Sequence, residues 1–148
     1  AALASLSSQP FVDKTRIYQV GYSWGAVVSS WLASSQSALF ARSSLRFAAS
    51  VSNYGTCVYQ DRYQFVLGDT DRPLLMLMGA KDQEFPSAPC FPRLEQLKSG
   101  GAPIQWHVYP NATHAWDKPT SPARGYVQDP AVTKDATDRM LAFFKAVR

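Results

Sequence analysis

Apolar positions recur along this chain with two different periods, and the period changes several times between one strand-like and one helix-like value. Arg16 to Val20 reads as a short strand rich in β-formers, and Gly21 to Gly25 follows as a tight turn. After it Val28, Trp31, Leu32, Ser35 and Leu39 recur at helical spacing and predict one helix with those residues on a shared face. Arg46 to Ser52 is small and apolar and predicts a second strand, ended by Asn53, Tyr54 and Gly55, where glycine permits an abrupt change of direction before a loop. Leu74 to Met78 is an uninterrupted apolar run between Pro73 and Gly79, the pattern of a parallel strand covered on both faces. A helix starting near Ser87, with Pro89 in its first turn, carries Cys90, Leu94 and Leu97 and stops at Gly100 and Gly101. Ile104 to Tyr109 alternates, as a strand nearer an edge does. The last helix has Asp129 as N-cap and Pro130 in its first turn, with Val132, Ala136, Met140, Phe143 and Val147 set to pack across the sheet.

Four strand-to-helix segments in succession predict a three-layer α/β fold, with helices on both faces of a mostly parallel sheet. The pattern contains no repeat or linker, so residues 1–148 are read as a single domain. A hydrophobic content of 46% is enough for a real core. The formal charge of +4 comes from scattered lysines and arginines without a basic helix face, which argues against nucleic acid as a partner. The longest apolar run is far too short to cross a bilayer, so a soluble chain with no membrane partner is expected. The sequence starts at Ala1, inside what reads as a helix.

Chemistry enters with Gly21, Tyr22, Ser23, Trp24, Gly25, a G-x-S-x-G pattern set between a strand and a helix. By composition alone the pattern arises in roughly one chain in twenty of this length, so its context has to carry the argument. The serine would sit strained at the apex of the turn, with a glycine on either side so that strand and helix can pass closely. Trp24 N–H, at the helix start, is the candidate oxyanion donor. A serine hydroxyl needs a general base, and the base needs an orienting carboxylate. Of the two histidines, His107 lies inside a strand and reads as structural, whereas His114 lies just past the strand's carboxyl end, where parallel sheets place their sites. Asp82, just past Leu74 to Met78, is the matching acid; Asp69 and Asp71 precede that strand and Asp117 follows the histidine. The order Ser23, Asp82, His114 is the one α/β-hydrolases use.

On these residues the chain resembles the C-terminal part of a dienelactone hydrolase-like α/β-hydrolase. The resemblance rests on Val12 to Gly25, Phe47 to Gly55, Pro73 to Asp82 and Gly101 to Asp117, with the Phe143, Phe144 ending. It implies an acyl-enzyme mechanism on Ser23, Asp82 and His114 with a small ester or lactone as substrate; that chemistry requires no cofactor, and the two histidines and two cysteines are too far apart and wrongly spaced for a zinc motif, so no metal is expected. The chain departs from the familiar members in having Ser23 where they carry a cysteine nucleophile, which points to ordinary ester chemistry, and in having Ala26 where a second glycine often follows. The resemblance also implies further strands ahead of Ala1, with a loop supplying a second oxyanion donor. A copy of the chain or that segment is then expected to cover an open sheet edge.

Tyr22, Trp24, Tyr54, Phe85 and Trp116 either line an acyl pocket or form plain core. Cys57 and Cys90 belong near the same rim, either as two buried thiols or as a bridge closing about 33 residues, worth roughly 3–4 kcal/mol in the chain-entropy account. Similar proteins with this spacing look exported, which favours a periplasmic or secreted location. Two alternatives stay open: a non-catalytic scaffold of the same fold without a complete oxyanion hole, and a peptidase or acyltransferase using the same three residues.

Overall fold

The computed structural model describes residues 2–41, 44–60 and 62–147, with the side chains at 39–41 outside the description. Its elements run α1 (Ala2–Ser7), β1 (Tyr18–Tyr22), α2 (Trp24–Leu32), α3 (Ser35–Ala41), β2 (Ala49–Asn53), β3 (Val58–Tyr59), β4 (Tyr63–Gln64), β5 (Leu74–Gly79), α4 (Phe91–Ser99), β6 (Ile104–Tyr109) and α5 (Pro130–Ala146). Four strands form one sheet in the order β1-β2-β5-β6, every neighbouring pair parallel. The expected α/β architecture is therefore present.

The layers follow from β5. All six of its residues are buried. Leu75 and Leu77 join Ala49, Val51 and Trp116 against Ala136 and Phe143 of α5. Leu74, Met76 and Met78 point the other way, packing with Ile104 against Leu94 and Leu97 of α4. A strand covered on both faces needs apolar side chains at every position, which accounts for the unbroken run. Each such side chain contributes about 1.5–3 kcal/mol by leaving water.

At the end of the chain, Asp129 caps α5 by accepting from Val132 N–H at 3.0 Å, and Pro130 occupies the first turn. Two expected strands shift by two or three residues: Arg16 to Val20 becomes Tyr18–Tyr22, and Arg46 to Ser52 becomes Ala49–Asn53.

Three expectations need larger correction. The single helix after Gly25 is two helices, because the Asp69 carboxylate accepts from the Ser34 and Ser35 hydroxyls and from Gln36 N–H, starting a new helix at Ser35. Its buried face is also different. Ala26, Val27, Ser29 and Ser30 pack inward while Val28 is exposed, since small residues let α2 lie close to β1 and β2. The Leu39 side chain lies outside the described part. Finally, among the described residues the connection from β2 to β5 holds the antiparallel β3–β4 hairpin and no helix, so the strand-to-helix alternation fails once.

Candidate active site

The nucleophile candidate comes from the junction of β1 and α2. Ser23 has φ 55° and ψ −123°, a left-handed conformation that an L-residue adopts only under constraint. Its N–H donates to Asn53 O at 3.1 Å, and its carbonyl accepts from Ala26 and Val27 N–H. The neighbouring helix start leaves Trp24 N–H without an intrahelical acceptor. The two flanking glycines are not equivalent. A Cβ on Gly21 would collide with the Gly25 carbonyl and the Ser29 hydroxyl, whereas a Cβ on Gly25 would meet nothing. The demand for close passage thus falls on Gly21 alone, correcting the expectation for both. At the end of β2 the correction is similar: Tyr54, not Gly55, takes the positive φ, while Gly55 makes room for Ala26 and Ser52.

The loops leaving β5 and β6 are laced together. Ala80 N–H donates to Tyr109 O at 2.9 Å and Lys81 N–H to Ala112 O at 3.0 Å, which sets Asp82 beside His114. His114 Nδ1 lies 2.8 Å from Asp82 Oδ2, and both side chains are buried. Asp82 Oδ1 accepts from Glu84 and Phe85 N–H at 2.9 and 2.8 Å, so the carboxylate cannot swing. An ionised carboxylate at Nδ1 selects the tautomer with a proton there and leaves Nε2 as acceptor. Nε2 is 2.8 Å from Ser23 Oγ. The structure therefore brings together Ser23, Asp82 and His114, which lie far apart along the chain.

Aromatic rings hold the imidazole on several sides: Tyr54 at 5.0 Å, Phe85 at 5.5 Å and Tyr126 at 5.2 Å between centroids. Burial, reinforced by its 2.7 Å bond to Asp117 Oδ1, pushes the Tyr54 phenol far above the ordinary tyrosine range and keeps it neutral. Tyr54, Phe85 and Trp116 are each no more than 2% exposed. They support the site from within, and as buried packing they are corrected from pocket lining. Tyr22 and Trp24 remain open beside Ser23. Trp24 leans on Tyr59, Phe65 and Phe85 at 5.5, 6.5 and 5.1 Å, so the unforeseen hairpin forms a wall next to the serine. A Cys57–Cys90 disulfide ties that wall to the start of α4.

The other candidates lie elsewhere. His107 sits on β6 opposite Leu77, its ring 4.6 Å from Tyr109, and burial followed by the Arg139 charge lowers its pKa. Asp69 serves α3, Asp71 pairs with Arg46 at 2.7 Å, and Asp117 holds Tyr54. Two residues at the site were missed: Tyr126, whose ring packs on the imidazole, and Glu84, whose Oε2 is 3.7 Å from His114 Nε2 and accepts from the Tyr126 hydroxyl; Tyr126 carried no motif signal. Only the position of Glu84, two residues past Asp82, could have drawn attention to it. Among the described residues no cluster of His, Cys, Asp and Glu is placed to hold a metal ion, and no helix is long and apolar enough to cross a membrane.

Comparison with known proteins agrees with this architecture. A Salmonella typhimurium protein bearing the name carboxymethylenebutenolidase is 28% identical over 148 residues, covering 96% of this chain and 50% of its own length. A crystal structure named as a dienelactone hydrolase from Klebsiella pneumoniae superposes with TM-score 0.72 at 26% identity, covering 97% of this chain and 57% of that one. A dienelactone hydrolase-like promiscuous phosphotriesterase from metagenomic libraries shares the fold with TM-score 0.72 at 18% identity, covering 99% of this chain and 59% of that one. The chain spans about half the length of the curated relative it matches. Since the sequence model of the dienelactone hydrolase family matches residues 1–148 in full, the chain belongs to that family.

Proposed function

We propose that this chain carries the reacting groups of a serine hydrolase that cleaves carboxylic esters or lactones through an acyl-enzyme. The observation that carries the reading is the pair of 2.8 Å contacts, Ser23 Oγ to His114 Nε2 and His114 Nδ1 to Asp82 Oδ2. In this reading Nε2 takes the hydroxyl proton as Oγ attacks the acyl carbon, and Asp82 steadies the imidazolium. Trp24 N–H, at the positive end of α2, donates to the oxyanion. The proton passes to the leaving oxygen as the acyl C–O bond breaks, and His114 then activates the water that releases the acid. Tyr22 and Trp24 are the exposed surfaces offered to the acyl group.

The test is labelling with a fluorophosphonate probe, followed by intact mass. Wild type is expected to gain one adduct on Ser23, and Ser23→Ala to gain none. Continued labelling of Ser23→Ala refutes the assignment. A folded chain that neither labels nor turns over short acyl esters would instead stand as a scaffold of this fold. We also propose that the chain works in an oxidising compartment, periplasmic or outside the cell, because Cys57–Cys90 is paired. Two free thiols in protein alkylated directly in its native cells would contradict this.

A further inference from the structure

His114 Nε2 faces two groups rather than one. Ser23 Oγ lies at 2.8 Å, and the Glu84 carboxylate lies at 3.7 Å with its side chain 40% exposed. Tyr126 donates its hydroxyl to the same Glu84 oxygen, and its ring packs 5.2 Å from the imidazole, so Glu84 is held against the site. The hydrogen bond to Glu84 raises the Tyr126 pKa, and the phenol stays a neutral donor.

The charge count shows what this carboxylate is left to do. When Nε2 carries the serine proton, the imidazolium is already balanced by Asp82, which is buried and fixed by two N–H donors. Glu84 adds one further negative charge on the Nε2 side. A cation also stands at this corner: Arg124 stacks over the Tyr126 ring at 6.0 Å and interacts with its phenol oxygen, the same hydroxyl that donates to Glu84, while Glu84 itself is the group that faces Nε2. Nε2 must hand its proton to the leaving oxygen, so the alcohol half of an ester has to pass this point. We propose, resting on the serine-hydrolase reading, that Glu84 is a specificity residue selecting esters whose alcohol carries a positive charge, an ammonium group above all, and rejecting alcohols that carry a carboxylate. The chain's net charge of +4 would on its own favour the opposite choice, which makes the preference diagnostic.

The experiment compares kcat/KM for three acetate esters of similar size, with a quaternary ammonium, a neutral tert-butyl and a carboxylate at the same distance from the ester oxygen. Within each protein the ratios cancel any common loss of rate. Wild type is expected to prefer the cationic over the neutral ester, and the neutral over the anionic, by about tenfold each at low salt, as one charge at roughly 6 Å provides at an effective dielectric of about 40, between that of water and that of a protein surface. Glu84→Gln should bring both ratios within about twofold of one, while Glu95→Gln, which removes a carboxylate from the exposed side of α4, should leave them as in wild type. Both preferences should shrink in 0.5 M salt. Ser23-dependent turnover whose ratios are the same in wild type and Glu84→Gln, or a preference for the anionic ester, overturns the role of Glu84 alone. Absence of Ser23-dependent turnover by wild type on all three esters overturns the hydrolase reading and this inference with it.

Discussion

The centre of the sheet and its first strand carry different halves of the same site on very different foundations. β5 is buried along its whole length and delivers Asp82 from a strand packed between α4 and α5. Among the described residues β1 pairs with β2 alone, leaves Val20 and Tyr22 exposed, and delivers Ser23 from the end of the strand order. The acid's place is fixed by packing throughout. The serine's place is fixed by a local device, one strained residue and the close passage of α2 over Gly21, which works even with Val20 and Tyr22 left open.

Substitutions that act on one foundation and not the other separate these two modes. Leu77→Ala in β5 should cost about 3 kcal/mol in urea-unfolding stability, within the 2–5 kcal/mol of large core truncations. Next come the two glycines of the elbow. Gly21→Ala should slow fluorophosphonate labelling about a hundredfold or more, because the added methyl forces strand and helix apart under Ser23, whereas Gly25→Ala should label within about twofold of wild type. Asp69, in the approach to β5 but bonded to the start of α3, joins the two regions, and Asp69→Ala should cost about 1–2 kcal/mol as a lost cap. Although burial works to raise its pKa, the bonds from Ser35, Ser34 and Gln36 outweigh this and hold it below 3.8. Its contribution is therefore complete above the unfolded pKa and is lost as pH falls through the lower, folded value, so Asp69→Asn should flatten the stability profile below about pH 4. The smallest effect is expected at the edge: Val20→Ala should change stability by no more than about 0.5–1 kcal/mol. A cost like that of Leu77→Ala would mean that something packs on β1 in solution.

The same contrast explains what could be read in advance. Leu74 to Met78 announced a doubly covered strand because burial on both faces leaves no polar position. Ser23, Asp82 and His114 could be singled out because each follows a strand end in the order this superfamily uses. What escaped depends on partners distant in the sequence or on residues with no apolar signal. The inward face of α2 is built from Val27 with the small Ala26, Ser29 and Ser30, which a hydrophobic pattern passes over in favour of the exposed Val28. The helix break at Ser34 needs Asp69, 35 residues away. Strands of two residues, as in β3 and β4, are too short to show any period. Glu84 looks like an ordinary surface carboxylate until the fold sets it against Nε2.

The Cys57–Cys90 bond makes the surroundings of Ser23 and His114 mechanically unequal. On one flank the hairpin under Trp24 and the segment leading from Asp82 to α4 are joined covalently, so they shift as a unit or not at all. The opposite flank, residues 118–128, is stitched only by contacts such as Val127 N–H to Thr113 Oγ1 and Tyr126 to Glu84. Any local opening beside His114 is therefore easier there, where only a hydrogen bond joins the phenol to its carboxylate.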